Sequence, residues 1–65
     1  MTVFIVEVIP EASLGRVSSE GYRTLAEAQA FVESRSGNPK KVSEHYYRDD
    51  DYTDYCIYEV KIKEA

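Results

Sequence analysis

Residues 24–39 read TLAEAQAFVESRSGNP, and this stretch decides the fold because it predicts one helix within a chain whose other apolar segments look like strands. Thr24 and Glu27 have the spacing of a capping box, which predicts that the helix begins directly after Thr24. A glycine and a proline end the helical pattern. We therefore predict a helix over residues 25–36 that covers one face of a sheet. Its sheet-facing residues are expected to be Leu25, Ala28, Phe31 and Val32.

Two strand-like segments precede this helix and two follow it. Residues 2–9 are β-branched and aromatic and are apolar on both faces, which is typical of a central strand. Residues 16–22 are rich in serine and predict a weak edge strand. Residues 41–48 predict a polar third strand, and residues 55–63 alternate strictly enough to predict a fourth. In the fourth strand, we assign the core-facing positions to Cys56, Tyr58, Val60 and Ile62.

These elements predict a single α+β domain over residues 1–65, with the element order ββαββ. A helix that crosses between two hairpins makes the second and third strands parallel. The most apolar strands, the first and the fourth, should then lie side by side and parallel in the middle of a mixed sheet with strand order 2-1-4-3. This arrangement resembles a reduced β-grasp fold in its topology, and a shared topology carries no function by itself.

One helix leaves the opposite face of the sheet uncovered. Apolar patches of a few hundred Å² on small proteins tend to be contact surfaces. The uncovered face therefore predicts either a homodimer or a docking site for a partner protein. We expect its apolar strip to consist of Val3, Ile5, Ile9, Tyr55 and Ile57.

The formal net charge of the 65-residue chain is −4, and this charge is concentrated in one segment. Residues 44–54 hold five acidic residues and one arginine, whereas the acidic and basic residues elsewhere balance. Three of the six tyrosines lie in the same segment. We expect this segment to form an acidic hairpin tip, whose charge either binds a partner or only keeps the protein soluble.

The same sequence argues against a membrane protein and a secreted disulfide-linked protein. No apolar run approaches the roughly 18 residues of a membrane helix, and residues 1–9 lack the basic start of a signal peptide. We therefore expect a cytoplasmic protein that does not contact a membrane. The lone cysteine cannot form an internal disulfide, and with only one histidine in the chain it cannot build a zinc site. No cofactor is expected.

Catalysis would need a nucleophile, a base and an orienting group, for which the candidates are Cys56, His45 and Glu44. A lone cysteine among alternating apolar residues is usually a small core side chain. We also expect a chain of this size to lack room for a pocket of about 300 Å³. The acidic run fails as a calcium loop, because Asp54 stands where the loop requires a glycine. We expect neither an enzyme nor a metal site.

Direct nucleic-acid binding is disfavoured, since the tyrosines that could stack on bases are interleaved with carboxylates rather than with basic side chains. The same groups would instead fit a basic groove on a partner protein. In length and acidity, the chain resembles the small inhibitors that phages encode against host nucleases and CRISPR complexes. We interpret it as a non-enzymatic binding protein, with a self-assembling module as the alternative. The predicted partner-binding residues are Glu44, Tyr46, Tyr47, Asp49, Asp50, Asp51, Tyr52 and Asp54.

Overall fold

The structure is a computed structural model that describes residues 1–11 and 18–63. Over these residues the strands form a single sheet in the order β2-β1-β5-β4-β3, and all neighbouring strands are antiparallel. The predicted α+β class is confirmed, whereas the predicted four-stranded mixed sheet is wrong. The start of the predicted second strand, at residues 16–17, lies outside the described residues. The elements are β1 (Thr2–Ile9), β2 (Ser18–Tyr22), α1 (Leu25–Glu33), β3 (Lys40–Ser43), β4 (Tyr46–Arg48) and β5 (Asp54–Lys61).

The additional strand arises because the predicted third strand, residues 41–48, is broken by a turn at Glu44 and His45. The Ser43 hydroxyl accepts a hydrogen bond of 3.4 Å from the His45 N–H. The Gln29 amide of α1 donates to the Glu44 carbonyl at 3.0 Å. Serine hydroxyls commonly stabilise turns in this way, and here the helix also anchors the turn from outside.

This extra reversal changes the direction of the last strand. β1 and β5 lie side by side in the interior of the sheet, as expected for the two most apolar strands, and they pair from Thr2 with Lys61 to Ile9 with Asp54. They are antiparallel, however, because the chain turns once more between the helix and β5 than the sequence pattern indicated. The predicted parallel pairing of these strands is wrong, and the topological resemblance to a β-grasp fold disappears with it.

The start of α1 follows the predicted capping box. The Glu27 N–H donates to the Thr24 hydroxyl oxygen at 3.1 Å, and the Thr24 hydroxyl lies 3.1 Å from the Glu27 carboxylate. The helix ends at Glu33 rather than at residue 36. Its end is earlier because the Ser34 hydroxyl donates to the Phe31 carbonyl at 2.7 Å and competes with the helical backbone.

The core lies between α1 and one face of the sheet. The predicted helical face is confirmed, because Ala28 and Val32 are buried and Leu25 and Phe31 are partly buried. Phe31 also stacks on Tyr22, with the ring centroids 5.5 Å apart. The fully buried apolar residues of the described chain are Val6, Val8, Ala28, Val32, Tyr47, Tyr55 and Ile57.

The predicted face assignment of the last strand is wrong. Tyr55 and Ile57 are 2% and 3% exposed and belong to the core, whereas Tyr58 and Val60 are 47% and 42% exposed on the opposite face. Alternation fixes which residues share a face but not which face the helix covers. α1 does not extend over the second half of β5. The residues in this half of the strand are therefore exposed on both faces of the sheet.

Gly37 provides a test of the turn that follows the helix. Its φ is +98°, and a Cβ there would lie 2.7 Å from Oδ2 of Asp49. We expect Gly37→Ala to lower the free energy of unfolding by about 2 kcal/mol, measured by urea denaturation. The control is Gly21→Ala, whose Cβ would meet side-chain methyl groups of Val3 at 3.2 Å and Ile5 at 3.4 Å and should cost under about 1 kcal/mol. Equal losses in both variants would contradict this account.

Candidate functional site

The Asp49 side chain points into the fold and stabilises the connection between β4 and β5. Its Oδ1 accepts hydrogen bonds of 2.9 Å from the backbone N–H groups of Asp51 and Thr53. Its Oδ2 accepts from the hydroxyl of the core residue Tyr55 at 3.0 Å. The residue is only 8% exposed. The carboxylate that begins the acidic run is therefore a structural acceptor that joins the turn to the core.

The charge of Asp49 is favoured by these contacts. Burial alone would raise the pKa of its carboxyl. The hydrogen bonds from Thr53, Tyr55 and Asp51 oppose burial, and the nearby Arg35 charge acts in the same direction, so the pKa lies below its ordinary value of 3.8. Asp49 is thus ionised, and its carboxylate is bound by hydrogen bonds within the fold.

Tyr47 is the second predicted partner-binding residue that lies in the interior. It is 1% exposed, and its hydroxyl donates to the Glu33 carboxylate on α1. Burial and this hydrogen bond raise the pKa of Tyr47 to about 12. In this fold neither Tyr47 nor Asp49 is accessible to a partner. A partner-binding role is a prediction only for the accessible members of the set.

The accessible acidic residues are partly balanced by neighbouring cations. Asp50 pairs with Lys40 at 3.5 Å. Asp54, which is half-buried, pairs with Arg48 at 3.5 Å and also accepts a hydrogen bond of 2.6 Å from the Tyr46 hydroxyl. Exposed ion pairs of this kind contribute little to stability, but they reduce the local negative charge. Within the described residues, no ion pair engages the carboxylates of Glu44 and Asp51.

Residues 49–53 connect β4 to β5 and are called the acidic turn below. Tyr52 is the exposed aromatic residue of this turn. It is 56% exposed and has a positive φ of 61°, which is uncommon for a residue other than glycine. The Arg48 guanidinium lies 5.2 Å from the centre of its ring. The turn therefore presents Asp50, Asp51 and Tyr52 outward from a backbone that Asp49 holds in place.

The sheet face opposite α1, called the open face below, carries a second accessible surface. The β1–β5 register places Val3 beside Val60 and Ile5 beside Tyr58. Of the predicted self-association residues, Val3, Ile5 and Ile9 lie on this face, whereas Tyr55 and Ile57 are core residues and that part of the prediction is wrong. The open face comprises Val3, Ile5, Glu7, Ile9, Tyr46, Arg48, Asp54, Cys56, Tyr58 and Val60.

The apolar end of the open face consists of Val3, Ile5, Tyr58 and Val60, and it borders a glycine of β2. Gly21 of β2 pairs with Ile5, and a Cβ there would lie 3.2 Å from Val3 and 3.4 Å from Ile5. The two aliphatic side chains therefore lean over the position that a larger residue would occupy. Further along the face, the interaction of the Tyr58 hydroxyl with the Glu7 carboxylate raises the pKa of Tyr58.

The candidate catalytic residues do not form an activated pair. Cys56 is half-buried, and burial raises the pKa of its thiol, with the carboxylates of Asp54 and Glu7 raising it further. A thiol with a raised pKa is a poor nucleophile at neutral pH. His45 lies in the exposed turn before β4, where its carbonyl accepts from the Ile57 N–H at 2.8 Å.

A hollow of about 360 Å³ lies between α1 and strands β1 and β2. The expectation that the chain lacks room for a pocket of this size is therefore wrong. Its lining is apolar at Val6, Val8 and Phe31, with the Arg35 guanidinium at its edge. The described residues that line it include neither a cysteine nor a histidine.

Metal-binding groups and membrane-spanning helices are both absent from the part of the chain that the structure describes. No three histidine, cysteine or carboxylate side chains come together there in a group that could hold a metal ion. The described residues also contain no helix with the length and apolar character needed to cross a membrane.

Comparison of the chain with protein-family models, with curated proteins and with solved structures finds no match.

Sequence reasoning missed the inward position of Asp49, although a signal was present. An aspartate that precedes a turn often accepts from the backbone two residues further on, and Asp49 is the first of three consecutive aspartates. Gly37, whose lack of a side chain makes room for the Asp49 carboxylate, had no counterpart in the charge pattern. The inward position therefore follows from local turn chemistry together with one distant glycine.

Asp49 can be tested by removing its hydrogen bonds and its charge separately. We expect Asp49→Ala to lower the free energy of unfolding at pH 7 by about 2–3 kcal/mol, because it leaves buried donors without an acceptor. Asp49→Asn keeps an oxygen acceptor and should lose less. The exposed Asp51→Ala is the control and should change stability by under about 0.5 kcal/mol.

The same variants give a pH dependence of defined sign. Because the pKa of Asp49 is lowered by folding, its contribution is complete above about pH 5 and is lost as the pH falls through the folded-state pKa. The stability difference between the unmodified protein and Asp49→Asn should therefore shrink between about pH 5 and pH 2. A difference that stays constant over this range would contradict the assignment.

Proposed function

We propose that this chain is a non-enzymatic protein-binding module that contacts its partner through the apolar end of the open face. The observation that supports this proposal is the exposure of two large side chains, Tyr58 and Val60, beside Val3 and Ile5 on a sheet face that α1 does not cover. Contiguous apolar surface of this kind marks contact sites on small proteins. The proposal includes a cytoplasmic location, which the single free thiol favours.

Tyr58 is suited to act as the anchor of such a contact. Tyrosine offers a large apolar ring with a polar tip and is enriched among residues that dominate binding energy. Here the Tyr58 side chain is 47% exposed on the open face, so a partner can reach it. The raised pKa of Cys56 on the same face favours contact over nucleophilic chemistry.

The open face can be tested by adding a charge to it. We expect Val60→Lys to abolish capture of a partner from native lysate by the tagged protein, because burying an unpaired ammonium is costly. Val60 is already exposed, so the fold should be retained, as circular dichroism would show. The matched control is Ala30→Lys on the exposed side of α1, which should capture the same partner. Equal capture by both variants would rule out the open face.

A second candidate function is supported by the acidic turn. We propose it as an inhibitor-like contact in which the turn enters a basic groove of a partner protein, as a nucleic-acid mimic would. The specific observation is that Asp51 and Tyr52 are exposed on a backbone braced by Asp49, so the turn presents them in a fixed geometry. Clustered carboxylates steer association with basic surfaces, and a rigid aromatic residue supplies contact area.

The acidic turn is tested with Asp50→Lys combined with Asp51→Lys, which leaves the structural residue Asp49 intact. We expect this variant to lose salt-sensitive retention on immobilised polylysine between about 50 and 200 mM salt. The control combines Glu20→Lys with Glu59→Lys, which changes the net charge equally on other exposed strands. If both double variants lose retention to the same extent, only net charge matters and this second proposal fails.

A further inference from the structure

We propose that the outer edge of β2 binds an extended peptide of a partner protein, which joins the sheet as a further strand. The peptide places an apolar side chain in the hollow between α1 and β2 and a carboxylate at Arg35. This site is separate from the open face, because the hollow lies on the side of the sheet that α1 covers. The proposal therefore stands or falls independently of the function proposed above.

The two edges of the sheet differ in how they are protected against an added strand. β3 carries Lys40 and Lys41, and its register with β4 shifts between Lys41 and Ser43. Lysines and such irregularities are devices by which proteins blunt the edge of a sheet. β2, with the sequence SSEGY, has no lysine or proline, and its register with β1 is unbroken from Tyr22 to Ser18. Within the described residues, no strand pairs with the other side of β2.

The backbone of β2 determines the kind of occupant. An edge strand presents a row of N–H and C=O groups that point away from the sheet, and an extended chain can pair with them in series. The side chains of β2 leave room for this approach, because Ser18 and Ser19 are small and exposed and Gly21 has none. The added strand would lie about 4.8 Å from β2. The edge therefore favours an extended peptide over a helix.

The hollow beside β2 determines which side chain the peptide carries. Glu20 pairs with Val6, and Ser18 pairs with Val8. Residues opposite one another on paired strands share a face, so Ser18 and Glu20 point to the face that α1 covers. Alternate side chains of an added strand would point to the same face, beside the hollow of about 360 Å³. Phe31 is only partly buried there, so an apolar side chain that enters the hollow would cover it.

Arg35 supplies the charge complementarity for an acidic group on the peptide. Its guanidinium lies 5.4 Å from the centre of the Phe31 ring, at the edge of the hollow. Within the part of the chain that the structure describes, no carboxylate forms an ion pair with it. A guanidinium can bind a carboxylate through two parallel hydrogen bonds. The carboxylate belongs either to an acidic side chain or to the C-terminus of the peptide.

A second copy of this chain does not supply such a peptide through its own β2. The large apolar side chain of β2 is that of Tyr22, whose ring centroid lies 5.5 Å from that of Phe31 in the same chain. The Tyr22 hydroxyl also donates to the Glu20 carboxylate at 2.7 Å. Tyr22 is therefore engaged within its own chain and is not available to fill the hollow of a neighbour. The peptide accordingly comes from a different protein.

Selection from a displayed library of short random peptides with free C-termini tests the proposal on the full chain. We expect the selected peptides to combine β-branched residues with one large apolar residue and a carboxylate. A synthetic selected peptide should slow amide hydrogen exchange at alternate residues of β2 and not in β3. An amidated form of the same peptide separates the two carboxylate sources, because it loses affinity only if the C-terminus meets Arg35.

Paired substitutions locate the peptide. Arg35→Gln should weaken its binding about tenfold or more through loss of a charged hydrogen bond, whereas Arg23→Gln, also exposed, should not. Ser18→Phe should block the hollow and weaken binding equally, whereas Val42→Phe on the exposed β3 should not. Val60→Lys on the open face should leave peptide binding unchanged. Circular dichroism checks that each variant retains the fold.

Three results would overturn the inference. The first is a selection that enriches no peptide. The second is a selected peptide that binds the unmodified chain, Arg35→Gln and Ser18→Phe equally well. The third is slowed amide exchange that falls outside β2. A chain that associates with itself through β2 and binds no peptide would likewise contradict the proposal, because the occupant would then be a second copy.

Discussion

α1 is too short to cover one face of the sheet along its whole length. α1 has nine residues, which corresponds to about 14 Å, whereas β1 and β5 have eight residues each and reach about 26 Å. The helix can therefore bury one face of the sheet over about half of its length. This constraint selects Val6, Val8, Tyr55 and Ile57 as the core and leaves the last four residues of β5 exposed on both faces. It also leaves the open face without a cover, and the proposed function follows from that.

The polar contacts of the fold compensate for the small apolar core. Asp49 joins the β4–β5 turn to Tyr55, while Tyr47 and Gln29 tie the strands after the helix back to α1. Each of these polar side chains is engaged within the fold and is therefore not available to a partner. Formal charge counted along the sequence does not reveal this, because a carboxylate that accepts three hydrogen bonds in the interior contributes the same −1 as one in solvent.

The two accessible surfaces differ in their physical character. The acidic turn is polar, internally braced and partly balanced by Lys40 and Arg48. The apolar end of the open face lies between Glu7 on one side and the N-terminal ammonium of Met1 on the other, which donates to the Ile62 carbonyl at 3.3 Å. Burial of apolar area stabilises a contact at about 25 cal/mol per Å², whereas exposed ion pairs contribute about 0–1 kcal/mol each. The open face is for this reason the better-supported contact surface, although the charge pattern of the sequence points to the acidic turn.

Several parts of this protein were determined by the sequence alone. The start of α1 at its capping box, its sheet-facing residues and the neighbouring positions of β1 and the last strand follow from local hydrogen bonding and apolar periodicity, which act over a few residues. The tertiary structure decided the turn at Glu44 and His45, the direction of β5, its buried face and the inward position of Asp49. Each of these depends on a contact with a distant residue, such as Gln29 with Glu44 or Gly37 with Asp49. Alternation and charge are properties of neighbouring residues along the chain, so they specify which side chains share a face of the sheet. They do not specify which of the two faces the helix will cover.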